Sequence, residues 1–209
     1  ATRPGGYGVR IQRGRRSGRR YGGGLTVKTW DHPQWGQFRY SGGAWEGSVS
    51  APGFDAFAHD TGYRNVDMAA GEYELGFEAD GESDLPSEAA MAVAAGVIAN
   101  PAALVSRITA ALWDDFNGRG PDSGMWWHGD LDTVREGIEP APEGPDDLPQ
   151  LMRLNRVVIL KTIEEYRKPV ARLDFGAAFE EEHGVSILTD GQAILGAGNE
   201  IEVSPYASP

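Results

Sequence analysis

The residues of this 209-residue chain best equipped for chemistry gather in one run, Phe179-Glu180-Glu181-Glu182-His183-Gly184-Val185-Ser186-Ile187-Leu188. Three adjacent carboxylates repel one another unless something binds or neutralises them. On a regular strand Glu181 and His183 share one face, with Glu180 and Glu182 on the other. Glu181 and His183 are thus a pair able to supply two metal ligands. A closed zinc site needs four ligands and an open one three, so the remainder would have to come from His128, Asp130, His59 or Asp60. The His-Glu-Xaa-Xaa-His spacing of a zinc helix is absent. A structural role competes with the metal: Gly184 permits a positive φ at a bulge or turn, while His183 and one carboxylate satisfy backbone groups. The structural role is preferred, and no cofactor is expected.

A second cluster, Met125-Trp126-Trp127-His128, is unusually apolar for a stretch rich in Gly, Pro and Asp. Its tryptophans either tuck into a junction between elements or serve as an anchor for a partner, because Trp is enriched at binding hot spots. The candidate functional or partner-binding residues are therefore Trp126, Trp127, His128, Glu181, Glu182, His183 and Gly184. Other motifs fail. Asp80-Gly81-Glu82-Ser83-Asp84 begins like a calcium loop, but the glycine needed at loop position 6 is Leu85 and the acid needed at position 12 is Met91. No serine sits in a Gly-Xaa-Ser-Xaa-Gly elbow, and the N-terminal glycines follow no strand that would make a phosphate loop. With no complete catalytic set, the sequence favours a binding protein over an enzyme.

Charge sharpens that expectation. The net charge is −12, yet residues 1–28 carry seven arginines, one lysine and no acid. Residues 29–209 then hold 11 basic and 31 acidic side chains, a net −20. A body so acidic steers basic proteins toward itself and repels phosphate, so nucleic acid is disfavoured except through the arm. The arm, residues 1–24, is low in complexity and poor in apolar side chains, too little to repay the entropy of ordering. It reads as flexible. Arg15-Arg16 has no apolar run behind it and no export signal is recognised. The longest apolar run, residues 89–99, is too short to span a bilayer. No membrane association is expected, and the cytoplasm is the expected compartment. Cysteine is absent.

The elements that must position these residues follow from periodicity. Short β-type runs at 25–30, 36–40, 45–50, 65–69 and 72–78 alternate apolar and polar side chains. Tyr73, Leu75 and Phe77 oppose Glu72, Glu74 and Glu78, the mark of a sheet with one dry and one wet face. Ser87 after Pro86 caps a first helix. Asn100-Pro101 starts a second, whose Leu104, Ile108, Leu112 and Phe116 form a stripe widened by Val105 and Trp113. Asn117-Gly118 ends it. Asp146-Asp147 cap a short turn through 148–154. Further β segments are expected at 156–162, 170–179, 185–188 and 193–195, with Asp190-Gly191 as the last hairpin turn. The fold class is α+β: antiparallel sheet segments at both ends, a central helical pair covering the dry face, and a flexible N-terminal arm. The organisation is an arm (1–24), a β-meander with helices (25–117), a connector (118–149), a second β-meander with the Glu-Glu-His-Gly motif (150–198) and a tail (199–209).

The run Phe179, Glu180, Glu181, Glu182, His183, Gly184, with Val185 and Ile187 continuing, resembles the C-terminal signature of a bacterial domain-of-unknown-function family: aromatic, acid, Glu, Glu, His, Gly, then an alternating strand. Phe179 and Ser186 depart from it, since the family usually carries Trp at the aromatic position and often a small residue after the strand's first apolar one. Trp45-Glu46-Gly47, Pro52 and the helix ending near Trp113 and Phe116 are similar in layout. Such domains are associated with immunity or accessory proteins of toxin systems. The resemblance implies a non-enzymatic, immunity-like protein engaging a basic protein partner, and carries over no catalytic residue. The alternative is a metal-dependent hydrolase using Glu181 and His183. Because the arm offers so little apolar surface to bury, deleting residues 1–24 is expected to leave the thermal unfolding midpoint nearly unchanged. A large drop in calorimetry would show that the arm packs on the body.

Overall fold

Alternating side chains build the first half of the sheet. The computed structural model describes residues 9–10, 27–59, 68–117, 119, 137–139, 141–163, 166–199 and 203–206. Strands β2 (Thr29–His32), β3 (Gly36–Ser41), β4 (Ala44–Ser50) and β5 (Glu72–Glu78) pair antiparallel in chain order. Trp30, Phe38, Trp45, Val49, Leu75 and Phe77 lie buried on one face. Trp30 sits at the centre of a ring cluster, with centroids 4.8 Å from Phe38, 6.3 Å from Trp45 and 5.8 Å from Phe77. Within residues 1–26, the described part is β1 (Val9–Arg10), which pairs with Thr29 and Trp30 at the edge of β2.

The second half is also a meander. It comprises β6 (Met152–Ile163), β7 (Lys168–Ala177), β8 (Glu180–Thr189), β9 (Ile194–Asn199) and the two-residue β10 (Ser204–Pro205). The two meanders are halves of one sheet, because β5 runs parallel to β6, pairing Glu74 with Arg156 through Phe77 with Ile159. Strand order follows the chain from β1 to β10. Among the described residues, eight strands of four residues or more are thus flanked by a two-residue piece at either edge, and every junction but the central one is antiparallel.

A parallel pair needs a crossover, which the helices supply. In α1 (Glu88–Ala99), Ser87 caps the first turn by accepting from the Ala90 N–H at 3.1 Å. Asn100 breaks the chain direction, and its side chain accepts from the Ala103 N–H at 3.3 Å to open α2 (Pro101–Phe116), with Pro101 in the first turn. The helices meet at 88°, and neither is long and apolar enough to cross a membrane. Ala90, Val93, Ala94 and Val97 of α1 and Leu104, Ile108, Leu112 and Phe116 of α2 join the core with the sheet's dry face. One close approach lies at the β8–β9 turn. Gly191 has φ +90°, and a Cβ there would lie 2.9 Å from the Gly96 carbonyl carbon. Helix and turn therefore meet backbone to backbone.

Several boundaries differ from the periodic expectation. β6 starts at Met152, before the expected 156, because its register with β7 slips between Leu154 and Arg156. Asn155 is the extra residue, and it keeps Leu154, Val157 and Ile159 on the buried face while Arg153, Arg156 and Val158 share the other. A bulge of this kind hides a strand from a period-of-two reading. The turn expected through 148–154 is a short 3-10 helix, η2 (Pro145–Leu151), opened by Asp147, whose carboxylate accepts from the Glu143 and Gly144 N–H groups. β8 starts at Glu180 instead of 185. Residues 68 and 69 are not in a strand, and 65–67 lie outside the described residues.

His32 ends β2 and holds the next turn. Its Nδ1 accepts from the Gln34 and Trp35 N–H groups at 3.3 and 3.1 Å. Its ring stacks on Trp35 at 4.4 Å and meets Trp30 edge-on. Burial holds its pKa below the ordinary histidine value. A depressed histidine pKa contributes stability that is fully present above the unfolded value near 6.5 and is lost as pH falls through the folded value. Urea midpoints measured between pH 7.5 and 5 should therefore fall more steeply for the wild type than for His32→Asn, which retains a short-range acceptor but cannot titrate. Equal slopes would remove His32 from the pH dependence.

Candidate functional site

The acidic His-Gly run forms the corner of the β7–β8 hairpin. The chain turns at Ala178-Phe179, and the buried Phe179 ring packs edge-to-face on Phe116 of α2 at 6.1 Å. Ala177 pairs with Glu180 and Phe175 with Val185, so Gly176 alone on β7 faces residues 181–184 on β8. Gly184 makes this possible: its φ is +67°, and a Cβ there would lie 2.3 Å from the Phe175 carbonyl oxygen. Glu181 and Glu182 are pushed outward and exposed.

The pairing of Glu181 with His183 by strand alternation does not hold. The His183 N–H donates to Glu180 Oε1 at 3.3 Å, and its ring nitrogens lie 3.4 Å from Glu180 Oε1 and 3.8 Å from Glu182 Oε1. The bulge breaks the period of two and brings to the imidazole the two carboxylates that alternation assigns to the opposite face. Among the described residues no group of three His, Asp or Glu side chains converges to hold a metal. Trp126, Trp127, His128, Asp130 and Asp60 lie outside the described residues.

A different constellation lies where the central strands diverge. The β5–β6 ladder begins at Glu74 and Arg156. Before that point Glu72 and Tyr73 pair with β4, and residues 152–154 pair with β7. Between these two edges runs the segment after the 3-10 helix η1 (Pro52–Ala56), where Ala58 N–H donates to Pro149 O and His59 N–H to Met152 O, both at 3.0 Å. The resulting fork encloses a cavity of about 580 Å³, lined by Asp55, Phe57, His59, Tyr73, Glu74 and Arg153 among others.

Bonding at the fork is uneven. Asp55 Oδ1 accepts from the Gly71 N–H at 3.0 Å and from the Tyr73 hydroxyl at 2.7 Å. Burial, and then that bond to Asp55, push the Tyr73 phenol pKa upward, so it remains a protonated donor. Cross-strand register lines up Ser48, Glu74, Arg156, Asp174 and Ser186 in one row over five strands. Asp174 is 1% exposed. Its Oδ2 accepts from Arg156 Nε at 2.7 Å and Arg172 Nη2 at 3.1 Å, and its Oδ1 from the Ser186 hydroxyl at 2.6 Å. Arg156 is thereby committed. Among the described residues Glu74, Arg153 and the His59 ring have no side-chain hydrogen bond or ion pair. On the same wet face Glu46 has its pKa raised by burial and by nearby Glu74, partly offset by Arg156.

Sequence reasoning missed Asp55, Tyr73, Glu74, Arg153, Arg156 and Asp174 as a group. Arg153 and Arg156, two cations close together in an otherwise acidic body, were the available signal. No family model, curated protein or solved structure matches the chain. The geometry of the Glu-Glu-His-Gly corner yields a direct test. Gly184→Ala should cost about 3 kcal/mol or more in urea unfolding, from left-handed backbone strain plus a clash with a carbonyl. His183→Ala, which removes only a half-exposed ring beside carboxylates, should cost under about 1 kcal/mol. The reverse order would mean that the imidazole, not the bulge, holds the corner.

Proposed function

We propose that this chain is a non-enzymatic acidic binding protein, immunity-like, that engages a basic protein partner. The supporting observation is the sheet face opposite the helices. On β4 and β5 that face presents Glu46, Glu72, Glu74 and Glu78, with Glu46 and Glu78 exposed. Ser48 donates to Glu72 at 2.9 Å, and the Lys161 N–H donates to Glu78 at 3.1 Å. Neither bond is to a positively charged group. The pKa of Glu46 is raised first by partial burial and then by nearby Glu74, with Arg156 acting in the opposite direction. A cationic cleft of the kind that binds nucleic acid on a toxin is the surface such a face complements. The resemblance of the Glu-Glu-His-Gly run to immunity-associated domains points the same way.

Charge and aromatic contact should divide the work. Long-range attraction sets the rate of encounter and is screened beyond about 8 Å at physiological ionic strength. Short-range aromatic burial slows dissociation. Cross-linking followed by mass spectrometry would identify the partner, and surface-based kinetics with the purified pair would test the mechanism. Association should slow by roughly tenfold as salt rises from about 50 to about 300 mM, and also in the triple variant Glu46→Gln, Glu74→Gln, Glu78→Gln. Trp126→Ala or Trp127→Ala should act mainly on the dissociation rate. Partners that are not basic, or an association rate indifferent to both salt and the triple variant, would overturn the proposal.

A further inference from the structure

The β5–β6 fork contains a cavity whose described lining carries more carboxylates than guanidinium groups. Of its lining residues, Arg156 is bonded to Asp174, which Arg172 also bonds from outside the lining. Among the described lining residues the remaining formal charges are those of Asp55, Glu72 and Glu74 against Arg153. An anion entering the fork would be repelled by three carboxylates and attracted by one guanidinium among these residues, and for a cation both signs reverse. A bare metal ion does not fit this arrangement, because no three acidic or imidazole groups among the described residues converge at ligand spacing. The carboxylates are instead distributed along a space of about 580 Å³, enough for a long side chain and the peptide that carries it.

Chemistry narrows the cation further. Tyr73, half-buried, lines the same cavity, and an aromatic ring beside carboxylates favours a planar guanidinium, which stacks on rings and forms paired bonds to carboxylates, over a compact ammonium. Asp55 is held in place by Gly71 and Tyr73, with its Oδ2 outside both bonds. Glu74 stands at the point where the strands part. The geometry points to the fork as a receptor for an arginine side chain, with Glu74 and Asp55 as its acceptors and Tyr73 as its aromatic wall. This assignment rests on the proposal of a basic protein partner and names the group on that partner that is recognised.

The test uses the full chain and three small probes: the N-acetyl, N-methylamide derivatives of arginine, lysine and norleucine. Binding is followed by NMR chemical-shift titration. The arginine probe should saturate at one site with low-millimolar affinity, about fivefold more tightly than the lysine probe, and the neutral norleucine probe should not saturate. Glu74→Gln should weaken the arginine probe about fivefold. It should leave the thermal midpoint unchanged, since Glu74 has no ion-pair or side-chain hydrogen-bond partner among the described residues. Glu78→Gln, on the same strand and face but outside the cavity, should not affect the probe. Equal binding of the norleucine probe, equal losses in Glu74→Gln and Glu78→Gln, or no saturation by the arginine probe would overturn the assignment. A salt-sensitive basic partner together with a silent arginine probe would remove the fork and leave the acidic face standing. A saturating arginine probe with a partner that is not basic would do the opposite.

Discussion

The architecture depends on one pairing, the four-residue parallel ladder from Glu74–Arg156 to Phe77–Ile159. Two antiparallel meanders would each present only a narrow dry face, and their edges would be open to further pairing. Joining them through β5 and β6 makes one sheet wide enough for both helices to pack on a shared core. The join also dictates what lies between them. A parallel connection cannot be a tight turn, so the chain must leave the sheet after β5, cross its dry face and return to start β6. The 88° break at Asn100 allows two short helices to do this, and the backbone contact of Gly96 with Gly191 locks α1 against the far half of the sheet.

The same ladder creates the fork. Parallel strands that pair over only part of their length must separate somewhere, and here they do so beyond Glu74 and Arg156. The bulge at Asn155 then turns Arg153 and Arg156 onto the wet face together. Burying a carboxylate as deeply as Asp174 is costly unless its lone pairs are filled. Arg156, Arg172 and Ser186, contributed by β6, β7 and β8, fill them. That network immobilises one wall of the fork and fixes Arg156 on Asp174 across from Glu74. Glu74 therefore sits directly across from a guanidinium that is hydrogen-bonded elsewhere, and the described lining holds more carboxylates than guanidinium groups.

The hairpin corner shows how a conspicuous motif can owe its form to backbone geometry. Phe179 is an anchor on α2, Gly184 a backbone requirement against Phe175, and Glu180 an acceptor for the His183 N–H. Glu181 and Glu182 are left on the outer surface, where they add to the negative field of the body.

Local features of the chain were legible because their causes are local. Ser87 and Asn100 cap because their oxygens reach N–H groups three residues away. The Leu104, Ile108, Leu112, Phe116 stripe and the Tyr73, Leu75, Phe77 alternation each follow from one element's own period, as does the Asp190-Gly191 turn. The α+β class, the helical pair over the dry face and the acidic balance of the body follow from these features and from composition. What the tertiary structure alone decided depends on distant segments meeting. Glu74 and Arg156 face each other across a crossover that no periodicity records. Asp55 reaches Tyr73 through a loop, and Asn155 shifts the register of β6 so that its first residues do not alternate. The bulge at Gly184 likewise gave His183 the neighbours that alternation denied it. Bulges and crossovers are settled by global packing, and a reading that proceeds one element at a time has no term for them.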